Sequence, residues 1–139
     1  MLHEQSARLS GLRSRLLRRV QIATRRTILD LGAGCGAVTE ELIRRGGGQV
    51  VSIDCQFAAL AAFPDSFRDA QRICGNAQML PFAAGGFDLV FAQFALLWMN
   101  AARAIDEVFR ILAPAGEFVA IELDFEGLIE HPQALKPLW

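Results

Sequence analysis

Residues 27–42, Thr-Ile-Leu-Asp-Leu-Gly-Ala-Gly-Cys-Gly-Ala-Val-Thr-Glu-Glu-Leu, decide how the chain is read. Thr27 to Leu31 is a short apolar run that ends in a glycine cluster, the pattern of a buried strand. Gly32, Gly34 and Gly36 stand at every second position, so the backbone turns tightly there and a ligand meets no Cβ. Val38 to Arg45 then takes helical spacing and stops at Gly46, which leaves backbone N–H groups of a helix N-terminus beside the turn. Strand, glycine turn and helix together form a docking surface.

Two ligand classes fit such a turn. A Gly-x-Gly-x-x-Gly/Ala dinucleotide fingerprint falls on Gly32, Gly34 and Ala37, with Asp54 22 residues after Gly32, and would hold a nicotinamide cofactor. That fingerprint has no acid two residues before its first glycine, whereas Asp30 stands there. The stretch resembles the first motif of class I S-adenosylmethionine-dependent methyltransferases, in which a strand ends in an acid-x-Gly-x-Gly-x-Gly turn around the methionine part of the cofactor. Asp30, Gly32, Gly34 and Gly36 match it, and Ala33 lies within it. The resemblance implies an α/β fold with a Rossmann-like parallel sheet in the order 3-2-1-4-5, flanked by helices, and S-adenosylmethionine as cofactor.

Downstream segments extend the likeness. Gln49 to Asp54 reads as a second buried strand that follows a flexible Gly46-Gly47-Gly48 break and ends in a carboxylate. The family carries an acid there to accept both ribose hydroxyls, which suits an acceptor-only group with two oxygens, so Asp54 and its neighbour Cys55 join the candidate site. Phe57 to Phe63 reads as a short helix stopped by Pro64, and Gln71 to Cys74 as strand three. Gly75 to Phe82 resembles the family's Gly-Asp-Ala-x-x-Leu-Pro-Phe segment along the adenine. It brings Asn76 and Ala77 to the cofactor, with an amide where the family has an acid.

Phe87 to Ala92 is strand four in the family's Phe-Asp-x-Val style, and Gln93 follows it. In open α/β sheets the crevice at the carboxyl ends of strands one and four is the switch point where ligands bind, so Gln93 faces the methyl group and the acceptor. The Asn-Pro-Pro-Tyr type motif of amino-methylating nucleic-acid enzymes is absent, which points to a small-molecule acceptor. Ala101 to Leu112 reads as a helix with Ile105, Val108, Phe109 and Leu112 on its inner face. Ala113 to Gly116 resembles the family's Arg-x-Leu-Lys-Pro-Gly-Gly turn with Ala113 and Ala115 as departures, and Glu117 to Leu123 is strand five. The following residues resemble the quinone-biosynthesis-like, small-molecule branch of the family.

The chain has 139 residues, 53% apolar and 21% charged, enough for one globular core and too apolar for wholesale disorder. Its net charge of −1 hides an asymmetry, because residues 1–26 hold seven arginines and one acid while the rest is acidic. Leu9, Leu12, Leu16 and Val20 recur at helical spacing, so residues 1–26 form a basic amphipathic helix that packs its leucines on the body and solvates its arginines. The same arm has the Arg- and Ser-rich composition of a transit peptide and could serve as an adaptor. Aromatic residues are not interleaved with its basic ones, which excludes a nucleic-acid interface on this pattern. Cys35, Cys55 and Cys74 are widely spaced with no CxxC pair, so no zinc site or disulfide framework is read, and a cytoplasmic setting is expected. No apolar run of about 18 residues marks a membrane span.

These readings assign residues 27–139 to an S-adenosylmethionine-binding domain that transfers a methyl group to a small molecule. Glu122 and His131 are noted as candidates for a base, and neither is given the role. Class I enzymes add a further helix and two strands after strand five, which this sequence does not show. Strand five is therefore expected to be a bare apolar edge covered by a second polypeptide or a second copy, as a heterodimer or homodimer. A subunit that binds the cofactor without catalysis, favoured by Asn76 and Ala115, and a nicotinamide-dependent oxidoreductase are the alternatives.

Overall fold

The computed structural model describes residues 8–67 and 70–123. Its sheet has five strands, β1 (Thr27–Leu31), β2 (Gln49–Asp54), β3 (Gln71–Cys74), β4 (Phe87–Gln93) and β5 (Leu112–Ile121). Every pairing is parallel and the spatial order is β3-β2-β1-β4-β5, as the resemblance implies. The helices are α1 (Ser10–Arg19), α2 (Ala37–Arg45), α3 (Phe57–Ala61) and α4 (Ala101–Ile111).

Parallel strands need crossovers, so helices cover both faces and the strands read as continuous apolar runs. Alternate residues serve opposite faces. Ile28, Leu89 and Phe91 join Val38 and Leu42 of α2 with Leu17 and Val20 at α1. Leu29, Leu31, Val90 and Ala92 join Ala104, Val108 and Ile111 of α4. Each fully buried Leu or Ile in these layers contributes about 1.5–3 kcal/mol of hydrophobic stabilisation. Asp88 secures the entry to β1, its two carboxylate oxygens accepting the N–H groups of Arg26 at 2.7 Å and Thr27 at 3.1 Å.

Four expectations change. The inner face of α1 is turned from the expected leucine row, with Leu12 39% exposed and Arg13 only 4% exposed. Arg13 is not solvated because its guanidinium has an acid to meet, Glu41 of α2 at 2.5 Å. In α4, Phe109 is 66% exposed, and Ala104, Val108 and Ile111 are the buried positions. The glycines at 46–48 are a close-packed crossing rather than a flexible break, since a Cβ at Gly48 would lie 2.1 Å from the Arg26 carbonyl oxygen. Finally, β5 begins at Leu112, and the expected turn is a bulge within it that opposes Leu112–Glu117 to Phe87–Leu89. Ala115 in that bulge has φ +62°, a conformation that suits glycine, the residue it replaces in the family pattern.

Candidate cofactor site

The strand register gathers the candidate residues. Leu31 lies between Ile53 and Ala92, so the next residues, Gly32, Asp54 and Gln93, emerge side by side at the carboxyl end of the sheet. Asp54 also pairs with Cys74, which places the loop carrying Asn76 and Ala77 beside it.

The glycines divide by what surrounds them. Gly32 and Ala33 both donate to the Ile53 carbonyl, at 2.9 and 3.1 Å, pinning the loop to β2. Gly32 has φ +73°, and a Cβ there would lie 2.5 Å from Ala95 Cβ, so the loop sits directly on the segment after β4. A Cβ on Gly36 would strike the Phe63 ring. Gly34, at φ +54°, has no heavy atom within 4 Å of such a Cβ, so its face is open to a ligand. The first turn of α2 follows, with no side-chain cap on its N-terminus.

Asp54 is half-buried and organised. Its Oδ2 accepts the Gly34 N–H and its Oδ1 the Gln56 N–H, each at 2.8 Å, which aims a fixed carboxylate past the open glycine. Each oxygen keeps a further acceptor position for a diol. Asn76 is exposed, and its Oδ1 already accepts the Gln78 N–H at 2.8 Å. Cys55 is exposed, Cys35 half-buried, and Ala33 and Ala77 are buried. No disulfide joins Cys35, Cys55 and Cys74 among the described residues.

Asp30 lies beneath the loop at 1% exposure, accepting the Thr39 hydroxyl at 2.6 Å; that hydroxyl is 3.1 Å from Ser52 Oγ. Burial pushes the Asp30 carboxyl up to about 7, and Asp54 adds to the rise, while the Thr39 hydrogen bond and the Arg13 charge act against it.

Several contacts of this site depend on partners that the sequence does not bring together. Arg13 donates to Gln93 Oε1 at 2.9 Å and to Glu41, which also pairs with Arg45 at 2.9 Å, so α1 is wired to both the end of β4 and the helix behind the glycine loop. Phe94, with φ +56°, turns the chain out of β4. Glu122 holds that turn, its Oε1 accepting the Ala95 and Leu96 N–H groups at 3.0 Å each; its Oε2 is buried with no hydrogen-bond partner among the described residues. On the far wall Arg110 donates to the carbonyls of Phe82 at 2.8 Å and Leu80 at 3.0 Å, which ties the two segments matched separately in the sequence. Hydrogen bonding from Arg110 holds the Glu107 carboxyl down at about 2. His131 lies outside the described residues. No group of three or more His, Cys, Asp or Glu suited to a metal occurs among the described residues.

A doubly wound sheet with a glycine loop and a strand-end carboxylate at its switch point is the arrangement that α/β folds use to bind ligands at the carboxyl ends of their strands. Residues 29–120, more than half of the chain, match the model of the methyltransferase domain family, and the chain belongs to that family, the class I S-adenosylmethionine-dependent methyltransferases. An uncharacterized methyltransferase of Mycobacterium tuberculosis is 36% identical over 68% of this chain and 38% of its own length. The demethylmenaquinone methyltransferase of Corynebacterium urealyticum is 36% identical over 79% of this chain and 47% of its own. Among solved structures, the PH0226 protein of Pyrococcus horikoshii superposes with a TM-score of 0.78 at 24% identity, over 89% of this chain and 57% of that one, a likeness of fold. The chain thus spans less than half the length of these two curated relatives. No helix among the described residues is long and apolar enough to cross a membrane.

Proposed function

We propose that the crevice binds S-adenosylmethionine and that the protein transfers its methyl group to a small-molecule acceptor. The observation that carries this reading is the fixed Asp54 carboxylate held by the N–H of Gly34, whose open face gives a ligand room. In this arrangement Asp54 accepts the ribose hydroxyls, the loop from Gly32 to Gly36 and the start of α2 take the methionine part, and Asn76 and Ala77 border the adenine. Gln93, fixed by Arg13, borders the acceptor. When bound, the cofactor supplies a methyl group activated on a sulfonium. The chain's own task is then to align the acceptor and exclude water, a contribution of about 7–11 kcal/mol for well-oriented pairs. The likeness to a demethylmenaquinone methyltransferase supports a small organic acceptor.

Replacement of Asp54 by Ala is the test. It is expected to weaken S-adenosylmethionine binding by about 1.5–3 kcal/mol, the range for hydrogen bonds to a charged group. Unchanged affinity removes Asp54 from the site. A second reading, a subunit that binds the cofactor without catalysis, draws on Asn76, whose Oδ1 is already engaged, and on the departure at Ala115. Tight NADH binding in a fluorescence titration would favour the oxidoreductase reading instead. The outer edge of β5 pairs with a second polypeptide or a second copy, and light scattering that gives a non-aggregating monomer opposes this. The wide spacing of the three cysteines, with no CxxC pair, supports a reducing, cytoplasmic setting.

A further inference from the structure

We infer that Asp30 couples ligand capture to proton release: a ligand that brings a positive charge onto the glycine loop drives a proton off the Asp30 carboxyl, and a ligand without one does not. The inference rests on the S-adenosylmethionine reading of the site. It begins from position, because Asp30 is two residues before Gly32 on β1, beneath the loop and 1% exposed.

The groups that face Asp30 set its charge. From α2, Thr39 gives a hydroxyl hydrogen bond of 2.6 Å, a neutral donor that cannot neutralise a carboxylate. From β2 come Ser52, which shares that hydroxyl, and Asp54, a second carboxylate. From α1, Arg13 is the one cation among the groups acting on Asp30, and its guanidinium is drawn to Glu41 at 2.5 Å and to Gln93 at 2.9 Å. Burial outweighs both stabilising contacts, so near neutral pH the carboxyl is held partly protonated, at about 7.

A cation changes that balance. A unit charge about 5 Å away in surroundings of effective dielectric about 20 is strong enough to ionise such a carboxyl near neutral pH. S-adenosylmethionine carries two positive groups, a sulfonium and an α-ammonium. The proton leaves the Asp30 oxygen for solvent, and the carboxylate remains as the counter-charge to the bound cation. Asp30 is thereby a specificity-determining residue for charge, favouring the sulfonium amino acid over its uncharged fragments.

The test is isothermal calorimetry at pH 6.5 in two buffers of different ionisation enthalpy, with S-adenosylmethionine and with 5′-methylthioadenosine, which lacks both positive groups. The dependence of the heat on the buffer counts protons. A carboxyl at about 7 is roughly three-quarters protonated at pH 6.5, so S-adenosylmethionine is expected to release about 0.75 proton and methylthioadenosine none. An α-amino group of ordinary pKa near 7.7–8.0 would take up less than about 0.1 proton at this pH, so it does not mask the release. Asp30→Asn, shown folded by its thermal transition, is expected to bind with no release. Binding of S-adenosylmethionine without proton release, equal release with both ligands, or the same release from Asp30→Asn overturns the inference while leaving the cofactor reading in place. Absence of binding by either ligand to the folded protein overturns both.

Discussion

The first two glycines of the loop, Gly32 and Gly34, should respond differently to the same substitution. Gly32→Ala puts a methyl group 2.5 Å from Ala95 Cβ at φ +73°. The neighbour cannot retreat easily, because Ala95 and Leu96 are both held by Glu122 at 3.0 Å. Left-handed backbone costs an L-residue about 1–2 kcal/mol and overpacking about 1–3 kcal/mol, so the variant should lose about 2–5 kcal/mol. Gly34→Ala has the same backbone penalty at φ +54° but no atom within 4 Å, so its loss should stop at about 1–2 kcal/mol. Urea unfolding with unchanged m-values measures both. Ligand affinity should reverse the order, because the Gly34 methyl group occupies the open face. A tenfold or greater loss there corresponds to about 1.4 kcal/mol. Equal destabilisation by the two variants, or unaltered S-adenosylmethionine affinity in Gly34→Ala, would refute the division of the loop into a packed glycine and a ligand-facing one.

Other perturbations probe the rest of the account. Arg13→Met leaves Glu41 buried without one of its cations and should cost about 3–5 kcal/mol in a denaturant melt, whereas Arg13→Met with Glu41→Met should cost less than the single change. Asp30 binds its proton more tightly folded than unfolded, so stability should fall as pH rises from about 4 to about 7, by about 1.4 kcal/mol per pH unit from this group, and thermal melts of Asp30→Asn should lack that slope. Ala115→Gly should raise stability by about 0.5–1 kcal/mol, because relief at φ +62° exceeds glycine's added chain entropy; a lower melting temperature would argue against the strained bulge.

Much of the fold was legible because its signals are local. The runs at Thr27–Leu31, Gln49–Asp54 and Gln71–Cys74 are strands with the expected limits, since apolar residues followed by a turn or a strand-end polar group suffice to mark them. The sheet order followed from the resemblance and the topology agrees. What stayed hidden depends on distant partners. Arg13 looks like any arginine beside a leucine row, and only the approach of Glu41, 28 residues on, and Gln93, 80 residues on, makes it a buried site residue. Phe109 fits the helical spacing of an inner face, yet it is exposed because Val108 and Ile111 face the sheet instead. Asp30 was visible as a motif acid, but its protonation is set by burial and by Thr39, Asp54 and Arg13, which the motif does not show.

The most direct measurement is a calorimetric titration of S-adenosylmethionine into the folded 139-residue chain. One site of micromolar affinity, about −8 kcal/mol, is expected, because Asp54, the open Gly34 and the start of α2 are all in place at the carboxyl end of the sheet among the described residues. A cooperatively folded sample that gives no heat of binding would contradict it.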